Sequence, residues 1–459
     1  MTQRVSPPGT GRRLPEEPNV SENFVARVRR DHERFATQGL PLKLESYLLQ
    51  EYGADVATEY AGLPVRNPWG KASGQLSMNL RQVQEDVEAG LGFVVLKTVI
   101  AQDERGEQSM DAWAIREARM DVETILGQTG EPGWTVTWKG RGWWQSFDEY
   151  LDLVRQSQAE AAPRGTLIVP SCKYHLPGPD ESEWRIDEYN STTRALLAAW
   201  LSGGGKQFAA MPIEKDFSPT LAGSDRASAK ARIVEWLRRV PALIRGAVAS
   251  PDSGHSTERV AGVECSEPPD SFSRKGHSSM LRVGLKVFNA MFEDDFQLEL
   301  LDAIHSAEPA GRADFFIYGN RLFDPDREFA GHRGVAYGGP DLSDRNLRVM
   351  SAFAEAQTAT DKQTLPWSAT GDISSGKMAI EYAMRGATTF QLHTYFQLPL
   401  SEYSMTRGSR SQRALHELYF HPAKGYLVWL EHCRQAADRE TLPRISELSQ
   451  LAESVRIPG

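Results

Sequence analysis

Eight short apolar runs, alternating with helical patterns, constrain this chain more than any other feature. In order they are KASGQL (71–76), GFVVLKTVI (92–100), TLIVPSC (166–172), QFAAMPIE (207–214), LRVGLKVF (281–288), ADFFIYGN (313–320), LPWSATG (365–371) and TTFQLHTYF (388–396). They lack clean alternation of apolar and polar residues, which is the pattern of strands covered on both faces. Helical patterns lie between them: QVQEDVEAG (82–90), SFDEYLDLVRQSQ (146–158), STTRALLAAWL (191–201), ASAKARIVEWLRRV (227–240), DFQLELLDAI (295–304) and GKMAIEYAMRG (376–386). Strands that alternate with helices build a parallel sheet. Eight such units predict an α/β fold closed into a (β/α)8 TIM barrel, and 459 residues hold one barrel with insertions.

The flanks divide the chain further. Residues 1–54 read as an N-terminal arm. Its first twenty residues are rich in Pro, Arg and Gly and are expected to be disordered, and 21–52 hold one or two helices. Residues 55–435 form the barrel, and 436–459 a C-terminal helical tail. The polar stretch 250–280 reads as an insertion, either a lid or decoration.

Bulk properties exclude several function classes. A net charge of -9 disfavours a nucleic-acid surface. Cys172, Cys265 and Cys433 are far apart and form no CxxC pair. That rules out a disulfide framework, a cysteine-bound iron–sulfur cluster and a zinc ribbon, so no metal site is expected. The N-terminus has no secretory signal, and no run reaches the ~20 apolar residues of a membrane span. A reducing, cytoplasmic setting is the expectation.

In a barrel the chemistry sits where strands end. The seventh run ends in Thr370-Gly371-Asp372 and leads through Ser374-Ser375-Gly376 into a helix; the eighth ends near His393-Thr394. Glycines before a helix N-terminus let backbone N–H groups approach a phosphate, and barrels often bind one after strands seven and eight. The plain alternative is an ordinary strand–turn–helix. Lys97 and Lys286 lie inside apolar strand runs, where an ammonium needs an anionic partner. That partner is a bound anion or a barrel carboxylate such as Glu214. Asn320 ends a strand, as a ring-reading or a turn Asn. Gly338-Gly339 reads as a flexible loop that either approaches a ligand or simply turns. Ser218 sits before Pro219 after the fourth run, as a proton acceptor or a Ser-Pro turn.

Taken in order, these segments resemble the FMN barrel of the dihydroorotate dehydrogenase and dihydropyrimidine dehydrogenase family, over roughly 55 to 435. YAGLPVRNPWGKASG resembles the family's first hairpin and strand. The resemblance puts Ala72, Ser73 and Gly74 under the flavin and Asn67 at the substrate. GFVVLKTV and LKV supply Lys97 and Lys286 as flavin lysines. ADFFIYGNRL brings Asn320 to flavin or substrate, and YGGPDLS stands for the Gly-Gly-Leu-Ser-Gly loop with Gly338 and Gly339. TGDISSGKMAIEYAMRGATTFQLHT resembles the flavin-phosphate segment, with Thr370, Gly371, Asp372, His393 and Thr394.

The chain also departs from the family. Where the family keeps Asn-x-Ser-(Cys or Ser)-Pro-Asn, this sequence reads Asp216-Phe217-Ser218-Pro219-Thr220. Ser218 holds the place of the base, with Asp216 and Thr220 in the flanking substrate positions. A Trp-rich GWTVTWKGRGWWQSF replaces the Asn-rich segment after strand two. The resemblance therefore implies an FMN-dependent oxidoreductase of a C–C bond in a small substrate other than dihydroorotate, with Lys97 and Ser218 catalytic. Family analogy adds a homodimer. The other readings are a flavin-free lyase or isomerase on a phosphorylated metabolite, and a non-catalytic barrel that binds a partner.

Overall fold

The computed structural model describes residues 9–138, 140–217, 229–249, 280–287, 293–309, 311–329, 332–452 and 454. Eight parallel staves run in chain order: β1 (Trp69–Lys71), β2 (Phe93–Val95, resumed at Val99–Ile100), β3 (Leu167–Val169, resumed at Ser171–Lys173), β4 (Met211–Asp216), β5 (Leu281–Val287), β6 (Phe315–Tyr318), β7 (Trp367–Thr370) and β8 (Ala387–Leu392). Each pairs with the next, and Phe390 of β8 lies opposite Trp69 of β1, so the ring closes. The closure passes through an interrupted stave. The lower half of β3 pairs with β2 through Phe93 and Leu167, and its upper half pairs with β4 through Glu214 and Ser171. Pro170 separates the halves because it has no N–H for the ladder, while its carbonyl accepts from the Glu214 N–H at 3.0 Å.

A helix follows every stave. They are α3 (Leu80–Ala89), α4 (Phe147–Ala161), α5 (Ile186–Ser202), α6 (Lys230–Ala249), α7 (Asp294–His305), α8 (Pro340–Ala359), α9 (Gly376–Ala383) and α10 (Arg410–Phe420); α1 (Glu22–Gln38) and α2 (Leu44–Tyr52) precede the barrel and α11 (Tyr426–Ala436) follows it. Local chemistry sets their ends. Ser146 and Glu149 form a capping box on α4, and Gly90 closes α3 in the left-handed region. The staves are buried because helices cover them outside and their own side chains fill the inside.

Four expectations change. The segment after Gly338-Gly339, read as loop, is the long helix α8, with Gly339 at φ 98 as its cap and Pro340 in its first turn. The Trp-rich segment contributes to a hairpin of Met120–Leu126 and Pro132–Trp138, and a second hairpin, Leu322–Phe329 with His332–Tyr337, follows β6. Residues 9–20 are not loose. The backbone N–H groups of Arg13 and Leu14 donate to the Glu381 carboxylate (2.9 and 2.7 Å), and Asn19 N–H to His432 Nδ1 at 3.0 Å. Backbone donors thus hold the segment, together with the buried side chain of Leu14. Among the described residues of 437–454, the one helical turn is the 3-10 turn Ile445–Glu447, since Asp438 at φ 49 and then Pro443 interrupt any longer helix. Of the 250–280 insertion, 250–279 lie outside the described residues. No helix among the described residues is long and apolar enough to cross a membrane.

Candidate active site

The C-terminal ends of β1, β6, β7 and β8 surround a cleft of about 690 Å³, open mouth included. Ala72, Ser73, Asn320, Gly338, Thr370, Gly371, Asp372, His393 and Thr394 all line it, with Trp134 and Arg321 beside them. Residues up to 322 positions apart meet here because every stave delivers its last residue to the same rim.

Glycine is required at two points. Gly371 has φ +101, and a Cβ on it would stand 2.4 Å from the Gly319 carbonyl oxygen. Asn346 of α8 ties this junction together: its amide donates to the carbonyls of Gly319 (3.0 Å) and Thr370 (3.1 Å), the ends of β6 and β7. A Cβ on Gly74 would lie 2.3 Å from His393 Nε2, so the two are packed against each other above β1 and β8. Beyond Gly371 the chain enters α9, where Ser375 Oγ accepts from Met378 N–H at 3.2 Å. Asp372, at φ 49, receives the Ser343 hydroxyl at 3.2 Å. Burial pushes its carboxyl up to about 7, against that hydrogen bond, and the charges of Glu131 and Asp344 add to the rise.

The ring below the cleft is rich in cations. Lys286 Nζ donates to Gln391 Oε1 at 3.3 Å and lies 3.9 Å from Glu214 Oε2, which is the barrel-carboxylate pairing weighed above. Glu214 is fully buried and accepts from Tyr60 Oη at 2.5 Å and from the Gln391 amide; burial raises its pKa, against Lys286. Lys97 and Lys173 are both held down to about 8, first by burial, with Asp216 opposing. Arg321 is held down to about 9 by burial, and donates to the carbonyls of Ala336 (3.2 Å) and Val136, one in each hairpin. His393 is held well below its usual value by burial and by Arg321, Lys71, Lys97 and Lys286. Hydroxyls of Ser73, Thr98 and Ser171 form a chain across the tops of β1, β2 and β3, with steps of 2.9 and 3.0 Å.

The hairpins roof this end. Gly338 N–H donates to Thr135 Oγ1 at 2.9 Å, and a Cβ on Gly339 would meet Ile125 Cγ2 at 2.6 Å, so Gly339 lies under the first hairpin rather than on the cleft wall.

The expected residues divide clearly. Lys97 and Lys286 stand outside the cleft wall, and their charge reaches it through His393. Asp216 ends β4 near Lys97 and Lys173. Ser218 and Thr220 lie outside the described residues. Asn67 is not brought to the cleft. It precedes β1, at the opposite end of the barrel, where its amide donates to Glu45 Oε1 and the Gly90 carbonyl (2.7 Å each) and its oxygen accepts from Trp69 N–H (3.1 Å). Three residues were missed. Lys173 directly follows the third run and extends its strand by one residue. Arg321 directly follows Asn320. Trp134 sits in the alternating PGWTVTW, a strand pattern.

No family model matches this chain, and no curated protein matches it. Among solved structures, a DHODH from Eimeria tenella in complex with ferulenol is similar, with a TM-score of 0.47 and 13% identity over 83% of this chain and 88% of that one. The barrel stands on the strand pairing itself.

Proposed function

We propose that this protein is an FMN-dependent oxidoreductase acting on a C–C single or double bond of a small substrate other than dihydroorotate. One observation carries the reading: a cleft opens where β7 and β8 end, beside the N-terminus of α9, with cations packed behind it. The residues fit the group. Gly371, at φ 101, turns the chain along the cleft wall toward α9, whose positive dipole end lies beside it, and Lys97, Lys286 and Arg321 supply positive charge. Gly371, Asp372, Ser374 and Thr394 would hold the phosphate; Ala72, Ser73, Gly74, His393 and Asn320 would hold the ring. FMN, when bound, supplies the hydride donor or acceptor.

The chain's own residues do the rest. Lys97 and Lys286 would place positive charge near the ring. The neutral His393 accepts or donates a hydrogen bond without adding charge. Trp134 and the paired hairpins keep water from the cleft. Ser218, two residues beyond Asp216, exchanges the substrate proton, and Asp216 with Thr220 contacts the substrate.

The low pKa of Lys97 also favours a second reading, a flavin-free lyase or isomerase, because an amine near 8 forms a Schiff base readily. Absorbance of the purified protein separates the two. Flavin bands, with FMN released on denaturation, support the oxidoreductase; a colourless protein that takes up no added FMN removes it.

A further inference from the structure

Two helices from opposite ends of the barrel sequence bring three metal-binding side chains together. His32 lies on α1, and His416 and Glu417 lie on α10. Their side chains are 13%, 0% and 5% exposed. One donor atom from each falls within 4.8 Å of the others. We propose that His32 Nε2, His416 Nδ1 and the Glu417 carboxylate form a zinc-type metal site that staples the N-terminal helix to the helix after β8.

The tautomer of His416 carries the argument. Its Nε2 lies 2.8 Å from the His32 carbonyl oxygen, which only accepts, so Nε2 bears the hydrogen. In the neutral ring Nδ1 then presents a lone pair. That lone pair is buried, has no hydrogen-bond partner, and points at Glu417 Oε1 3.4 Å away. A lone pair facing a carboxylate oxygen is repulsive unless something positive lies between them. A shared proton would draw the pair to about 2.7–2.9 Å, the length of a charge-assisted bond. His32 Nε2 lies within hydrogen-bond reach of the other carboxylate oxygen, Oε2, at 3.2 Å, whereas the 3.4 Å from His416 Nδ1 to Oε1 matches a metal. Two donors each about 2.0–2.2 Å from one tetrahedral zinc lie about 3.3–3.5 Å apart.

The surroundings are those a metal ligand needs. The second nitrogen of His416 is fixed on a carbonyl, and Glu417 Oε1 accepts the Ser404 N–H at 2.7 Å. His421 is nearby, with its ring 5.9 Å from His32. It is not a ligand: its Nδ1 accepts the N–H groups of Ala423 and Lys424, both at 3.1 Å, which puts its proton on Nε2. His32 and His416 now stack at 4.4 Å with 16° between planes. Coordination in the plane of both rings turns one of them, and the partly exposed His32 has the room. Two imidazoles and a carboxylate leave one tetrahedral position for water, a set that suits zinc and its probe cobalt(II).

The test uses the full chain purified without a histidine tag. Metal analysis is expected to find about one zinc per chain. After chelation, cobalt(II) is expected to restore one equivalent with the visible bands of a tetrahedral ion. Zinc added back is expected to raise Tm by about 3 °C or more. His416→Ala, His32→Ala and the milder Glu417→Gln each lose the cobalt bands and the Tm rise, whereas His421→Ala keeps both. Flavin absorbance is unchanged throughout, so this result is independent of the cleft. Two results overturn the proposal: chelated wild-type protein that takes up neither ion, or cobalt bands that persist in both His416→Ala and Glu417→Gln.

Discussion

The two ends of the barrel bury polar groups in opposite ways. At the N-terminal end, Asn67 uses both amide hydrogens and its oxygen, and Arg66 donates to both oxygens of Glu45 at 2.7 and 2.6 Å. Asn67, Arg66 and Glu45 thus pair within one small network. At the C-terminal end, Lys97 and Lys173 share Asp216, Lys286 faces Glu214, Arg321 donates to two carbonyls, and burial holds three of the four cations below their usual pKa. A fully paired network is a way to hold a fold. Excess buried charge of one sign is a cost that a bound anion offsets, so it marks where a ligand belongs.

Three substitutions probe this contrast, the largest effect first. Asn67→Ala leaves a backbone N–H, a carbonyl and a carboxylate without their partner at the closed end, and is expected to destabilise the fold by about 3 kcal/mol. Denaturant unfolding measures this, and FMN affinity of the folded protein is expected to stay the same; a weaker affinity would place Asn67 at the ligand after all.

Lys97→Met acts at the open end, and the sign follows from its lowered pKa. At pH 7 both folded and unfolded chains keep the lysine proton, so the folded state carries the full cost, at most about 3 kcal/mol. Between pH 8 and 10.5 the folded side chain has lost its proton and the unfolded one has not, so stability rises with pH across that window. The variant is therefore expected to be more stable than wild type at pH 7, with the gain gone by about pH 10.5. Unfolding of the flavin-free proteins at the two pH values checks it. An unchanged stability at pH 7 would mean that Lys97 is already paired.

Asp372→Asn has the smallest expected effect. Wild-type affinity for FMN is expected to fall about threefold to tenfold between pH 6 and 8, as the carboxyl, raised to about 7, ionises beside the phosphate position. The variant flattens that profile. A wild-type profile with the same slope as the variant's would remove Asp372 from the phosphate site.

The sequence made the barrel legible because each strand run and each helix is a local pattern. Gly371, Asp372, His393 and Thr394 were visible for the same reason: glycine before a helix start is local chemistry. Lys97 and Lys286 stood out as charges in apolar runs, and Lys173 directly follows the third run. Asn67 shows where resemblance misleads. It precedes its strand, and a residue before a strand lies at the N-terminal end of a barrel, away from the cleft. The roof was harder to read, because two hairpins lie on each other only through contacts such as Gly338 with Thr135. His32 and Glu417 are 385 positions apart, so no spacing in the sequence links them.

The strap formed by residues 9–20 sets an order of events during synthesis. Arg13 leaves the ribosome early, yet its partner Glu381 is made 368 residues later. At about 5–20 residues per second that gap is about 20 to 70 s. Through that time Arg13 and Leu14 lack the carboxylate that holds them. The barrel's last units must emerge, β8 must reach β1, and only then does the strap lock onto α9.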